Sequence, residues 1–239
     1  MKNIFNKGLA AVVILAGGMM LGSCSSDFLD TVPGNKVSTG NVWTSKNMAN
    51  AVVTGAYERF EWEHNGDMGR YKWDNWCEIM DEDVNWTGDC QFKMGSATAT
   101  SDIFKNVWKM TYEEIYRTSN VIVNLDQVPD MSDDEKARDI AEMKVLRAWA
   151  YYRANCFYRG IPIYTEPVEY GKADKGRNTV DEVWAQVIQD CTEAINCPQL
   201  PAKYATSDGD YGRMTKGAAY FLRAQVYLWQ KKWQEAVND

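Results

Sequence analysis

The chain has 239 residues with 33 acidic and 26 basic side chains, a formal charge of −7. That length allows one large domain with a real core, and that charge repels phosphates, which excludes a nucleic-acid binder. Six cysteines and a single histidine, with no C-x-x-C spacing, exclude a zinc site and a dense disulfide framework.

The first segment reads as a leader. Lys2 and Lys7 make a positive n-region, and Gly8 to Leu21 is an uncharged, mostly apolar run too short to cross a bilayer permanently. Leu21-Gly22-Ser23-Cys24 follows, with small residues before a cysteine whose thiol accepts a diacylglyceryl group. It closely resembles the bacterial lipoprotein signal. The expected organisation is a removed peptide over 1–23, a lipidated N-terminus and tether over 24–43, and a helical domain over 44–239. The mature chain then carries −9, with the lipid on Cys24 as its only attached group.

Helices follow in order. Met48, Val52, Ala56 and Phe60 fall at helical spacing and predict a helix over about 44–61. Phe104, Val107, Trp108, Tyr112, Ile115, Ser119 and Ile122 predict a longer one over about 101–127, stopped before Pro129. Ser132 and Glu135 form a capping box that opens a third, whose stripe runs through Ile140, Met143, Leu146, Ala150 and Phe157 to Gly160 and Pro162. Ile161–Tyr164 reads as a short extended piece. Thr179 and Glu182 form a second capping box, followed by Val183, Trp184, Val187, Ile188, Cys191 and Ile195 up to Pro198.

The last long helix starts near Thr215 and is apolar almost all round from Ala218 to Trp229, so it is expected to be covered on more than one side. Tyr220, Ala224, Tyr227, Trp233 and Ala236, with Lys231-Lys232 at a turn, sit where a tetratricopeptide unit places its packing residues. The second helix of that unit runs out at Asp239 after barely two turns, so the chain is expected to be truncated. The fold class is all-α: a right-handed helical array with tetratricopeptide-like helix pairs and a long aromatic-rich loop between the first two helices.

That loop, about 62–100, holds Trp62, Trp73, Trp76 and Trp86, four of ten tryptophans, with Tyr71 and Phe92. Aromatic faces suit the C–H faces of sugars, and Arg70, Asp74, Asp83, Asn85 and Gln91 can hydrogen-bond hydroxyl pairs. Trp73, Trp76, Trp86, Arg70, Asp83 and Asn85 are the candidate ligand contacts, with packing of the loop itself as the competing role. The acidic run Asp81–Asp89 lacks an EF-hand's glycine, where Trp86 stands, and its glutamate, where Phe92 stands, so no metal is expected. Cys77–Cys90 and Cys191–Cys197 could each close a loop, and Cys156 reads as core. Glu113-Glu114 read as a solvated helix face, and no nucleophile motif accompanies His64, so no catalysis is expected.

Several segments together resemble the SusD/RagB family of outer-membrane nutrient-uptake lipoproteins. They are Cys24, Phe28-Leu29-Asp30, Pro33, Val42-Trp43 and Gly55-Ala56-Tyr57, then Trp108, Tyr112, Ile115 and Asn120. Leu146-Arg147-Ala148, Tyr151-Tyr152, Tyr158 to Pro162, Arg177-Asn178-Thr179 and Gly212 to Lys216 complete the series. The resemblance covers the N-terminal half of a family member. It implies a cell-surface protein, lipid-anchored to the outer membrane, that captures an oligosaccharide (a peptide in the RagB branch) for a SusC-like TonB-dependent transporter. A protein-binding helical scaffold or a non-binding fragment is the alternative, with a surface glycoside hydrolase behind them.

Overall fold

The computed structural model describes residues 42–61, 95–96, 98–169 and 171–239, with side chains omitted at 59–61 and 102–103. Helices α1 (Lys46–Glu61), α2 (Asp102–Asn124), α3 (Asp133–Tyr158), α4 (Val180–Asn196), α5 (Lys216–Trp229) and α6 (Trp233–Asn238) follow in order. A 3-10 turn, Leu125–Gln127, closes α2. The described residues contain no strand, so the all-α expectation holds. Among them no helix is long and apolar enough to cross a membrane. The leader, Cys24 and the loop with Cys77 and Cys90 lie outside the described residues.

Both capping boxes form. The Ser132 hydroxyl accepts from the Glu135 amide at 3.3 Å, and the Ser132 amide donates to the Glu135 carboxylate at 3.2 Å. Thr179 and Glu182 do the same at 3.2 and 2.7 Å. Two helix starts therefore satisfy donors that would otherwise have no partner. The Lys46 ammonium on the Glu135 carboxylate, with the Ser132 bonds, holds that carboxyl down to about 2. The Lys46 amide in turn donates to Asp130 at 2.6 Å, so the loop between α2 and α3 caps α1.

Helix α3 is the axis, packing against α1, α2, α4 and α5. One core cluster joins Val53, Ala56, Val121, Leu125, Met143 and Leu146 between α1, α2 and α3. A larger one joins Ile115, Tyr151, Ile161, Trp184, Val187 and Leu222 between α2, α3, α4 and α5. Each fully buried Leu or Ile contributes about 1.5–3 kcal/mol. Being enclosed on every side, α3 also buries charged groups: Asp139, Glu142, Arg147 and Arg153.

Those charges are paired. Arg147 grips Asp190 with two bonds of 2.8 and 2.7 Å, and Arg153 reaches Glu114 at 3.2 Å. Glu114 is therefore not on a solvated face: it is 1 % exposed, because α3 brings a guanidinium to it. Glu113 stays partly exposed beside Lys109.

Two further expectations change. Cys191 and Cys197 are free thiols, not a disulfide. Cys191 is buried in the core, while the Cys197 thiol, six residues on and around the helix, turns to the Ala137 carbonyl at 3.5 Å. Helix α5 fully buries one stripe only, Ala219, Leu222 and Val226, whereas Phe221, Leu228 and Trp229 are exposed. Its main helix partners are α3, α4 and α6, and α6 buries no residue of its own. Ile161–Tyr164 is extended without a ladder, its amides taken by side chains instead: Ile163 donates to Asn178 and Tyr164 to the Tyr151 hydroxyl.

Helix α3 ends through Arg159 at φ 60° and Gly160 at φ 103°. A Cβ on Gly160 would stand 2.6 Å from the Asn178 carbonyl oxygen. Gly160→Ala is expected to cost about 1–3 kcal/mol through both strain and contact, measurable by urea denaturation. A loss near zero would mean that the Asn178 segment can move away.

Candidate functional site

Four residues apart on α2, Trp108, Tyr112 and Tyr116 occupy one face of the helix. Trp108 is 41 % and Tyr116 48 % exposed, so this face is not covered by the core. The Trp108 and Tyr112 rings lie 4.8 Å apart, and Tyr158 meets Trp108 edge-on at 5.2 Å. The expectation that Trp108 and Tyr112 belong to a packing stripe thus holds only for their inner edges.

Opposite them runs the segment after Pro162, which folds back as a strap. The buried Tyr151 hydroxyl donates to the Tyr164 carbonyl and accepts from the Tyr164 amide, both at 2.8 Å. The Tyr164 hydroxyl accepts from the Lys175 amide at 2.9 Å, and the Lys175 ammonium donates to the Ile163 carbonyl at 3.0 Å. Arg147, from the core, donates to the Thr165 carbonyl at 2.9 Å. Arg177 closes the strap on the carbonyls of Tyr158 and Gly160. Tyr112 ties the walls together by donating to the Pro162 carbonyl at 2.8 Å.

Between the walls lies a pocket of about 390 Å³, lined by the α2 aromatics with Ile115, and by Pro162, Tyr164, Glu166, Val168, Ala173 and Lys175. The size suits a small ligand, and mostly apolar walls with a few polar groups are the usual composition of such sites. Burial pushes the Tyr112 phenol well above its ordinary range, and the nearby Tyr151 and Tyr164 add to the effect. It therefore stays protonated and able to donate. A second hollow of about 440 Å³ adjoins it, sharing Tyr164, Glu166, Val168 and Lys175, and adding Glu169, Lys172 and Asp174. Aromatic faces and short-range acceptors can stack on and hydrogen-bond a ring bearing hydroxyls. Among the described residues no group of His, Cys, Asp and Glu could hold a metal ion.

The sequence-based candidates Arg70, Trp73, Trp76, Asp83, Asn85 and Trp86 lie outside the described residues. None of the pocket aromatics was among them. The signal was present in the four-residue spacing of Trp108, Tyr112 and Tyr116, but such spacing serves core and site equally.

A family model of SusD-like proteins, described as starch-binding and associating with the outer membrane, matches residues 27–228. A SusD-like protein, P25, of Formosa agariphila is 24 % identical in an alignment of length 232 that covers 90 % of this chain and 42 % of that one. A SusD-like carbohydrate-binding protein of Bacteroides fragilis superposes with a TM-score of 0.71 at 21 % identity, over 83 % of this chain and 40 % of the other. Surface glycan-binding protein A of Bacteroides thetaiotaomicron, solved with laminarihexaose, gives 0.64 at 21 %, over 79 % and 40 %. The chain thus spans about two fifths of the length of these proteins.

Proposed function

The chain belongs to the SusD-like family, and from that premise we propose that it is a cell-surface glycan-binding lipoprotein that hands oligosaccharides to a SusC-like TonB-dependent transporter. The observation that carries this reading is the open aromatic pocket, with the exposed rings of Trp108 and Tyr116 facing the polar strap. A pyranose presents C–H groups to such rings, and its hydroxyls reach Glu166 and Lys175 at the rim. The glycan named with one structural relative supports the ligand class.

The role is capture, not catalysis, as the family's description as starch-binding suggests. Cys24 carries the lipid that keeps the chain on the outer membrane, with about 0.8 kcal/mol of membrane affinity per buried CH₂. The tryptophan-rich segment directly ahead of α2 supplies further contacts, with Trp73, Trp76 and Trp86 as stacking rings and Arg70, Asp83 and Asn85 as hydrogen-bonding partners.

The test is a titration of the full chain in detergent with a panel of oligosaccharides, followed by tryptophan fluorescence. A saturable change is expected, and Trp108→Ala is expected to weaken binding by about tenfold through the lost stacking face. Trp86→Ala reports separately on the preceding loop. No response from a chain with its full helical signal, or release of new reducing ends, would overturn the reading.

A further inference from the structure

The aromatic pocket and the hollow beside it share Tyr164, Glu166, Val168 and Lys175, and so form one cleft with an apolar half and a charged half. We propose that this cleft selects uncharged oligosaccharides, which lie across both halves, and turns away glycans bearing sulfate or carboxylate groups. This rests on the glycan-binding reading above and names the class of glycan.

The charges of the second half decide the matter. Five of its lining residues carry charge at neutral pH: Glu166, Glu169, Lys172, Asp174 and Lys175. Both cations are engaged within the strap. Lys172 pairs with Glu169, and the Lys175 ammonium donates to the Ile163 carbonyl at 3.0 Å while lying 4.9 Å from the centre of the Tyr164 ring. Glu166 and Asp174 have no ion pair among the described residues, and both are exposed. With three carboxylates against two ammonium groups, the second half is net negative, within a chain of net charge −7.

An ionised carboxylate only accepts hydrogen bonds. Sugar hydroxyls donate, so a neutral glycan satisfies Glu166 and Asp174. A sulfate or uronate group only accepts as well. Placed against Glu166 and Asp174 it would leave acceptor facing acceptor and add repulsion over a range of about 8–10 Å, the screening length near physiological salt. In the apolar half Lys175 is the single cationic lining residue, and its ammonium already donates to the Ile163 carbonyl.

The experiment compares laminarihexaose with its sulfated derivative on the full chain in detergent, at low and high salt. The chain, Trp108→Ala and the double variant Glu166→Gln/Asp174→Asn are measured, each checked for native helical signal. At low salt the sulfated probe is expected to bind at least about tenfold more weakly than the neutral one, and the gap to narrow with added salt. In the double variant the ratio of the two affinities is expected to fall by roughly fivefold. Equal binding of both probes, or a ratio unchanged in the double variant, would overturn the selectivity and leave glycan capture standing. Neutral binding indifferent to Trp108→Ala would place the ligand elsewhere and overturn the assignment to this cleft. No binding of either probe would bring down the glycan reading and this inference together.

Discussion

Arg147→Ala is expected to cost about 3–5 kcal/mol of folding stability, the cost of leaving a buried carboxylate without its counter-charge. Asp190 is 1 % exposed, and both of its oxygens receive the Arg147 guanidinium. The same guanidinium donates to the Ser119 hydroxyl at 3.2 Å and the Thr165 carbonyl at 2.9 Å. It therefore joins α2, α3 and α4 to the strap that walls the pocket. Urea denaturation of the single variant gives the loss. The double variant Arg147→Met/Asp190→Leu separates charge burial from packing: it is expected to recover most of the stability, because an apolar pair of similar volume carries no desolvation penalty. If the double variant is no more stable than the single one, shape rather than charge is what the site requires. The strap should also loosen in the single variant, which would show as weaker oligosaccharide binding.

The second large effect is expected at Arg213. Its guanidinium reaches both oxygens of Glu142 at 2.7–3.1 Å and Asp139 at 2.7 Å. Glu142 is fully buried and also accepts from Tyr57 at 2.8 Å and Tyr204 at 3.1 Å. Arg138 sits 3.0 Å from Asp139 but only 4.0 Å from Glu142, so it cannot replace Arg213 at both. Arg213→Ala should cost about 3 kcal/mol.

Burial pushes the Glu142 carboxyl above its ordinary 4.5, against the opposing pull of Arg213 and Tyr57. A folded value above the unfolded one means that the native state binds this proton more tightly. The resulting stability is fully present below 4.5 and is lost as pH rises through the folded value. Removing Arg213 removes the strongest opposing influence and moves that value further up. The deficit of Arg213→Ala is therefore expected to be larger at about pH 8 than at about pH 5. A deficit that is constant, or larger in acid, would show that Glu142 stays ionised without its partner.

Much of the framework could be read in advance because its signals are local. Ser132/Glu135 and Thr179/Glu182 specify helix starts within four residues, and Gly160 with Pro162 specifies an end. The apolar stripes of α2 and α4 identify the core face, since periodicity needs no knowledge of the partner. The same stripes mislead where burial depends on what lies opposite. Trp108 and Cys191 both sit on apolar stripes at helical spacing, yet one ends 41 % exposed and the other fully buried. Glu114 looks like a surface residue until α3 supplies Arg153. Phe221 and Leu228 look like core, yet both are exposed among the described residues.

What the sequence determined by itself was the helical class, the capped boundaries, the acidic charge and the family, because composition, caps and short motifs are properties of neighbouring residues. Only the tertiary structure decided which charges are buried together and where a pocket opens. Arg147 lies 43 residues from Asp190, Arg213 lies 71 from Glu142, and Tyr112 lies 50 from Pro162. Desolvation makes such pairs costly to break, and concavity arises only where separate elements fail to fill the space between them. Neither property belongs to any stretch of chain until the helices pack.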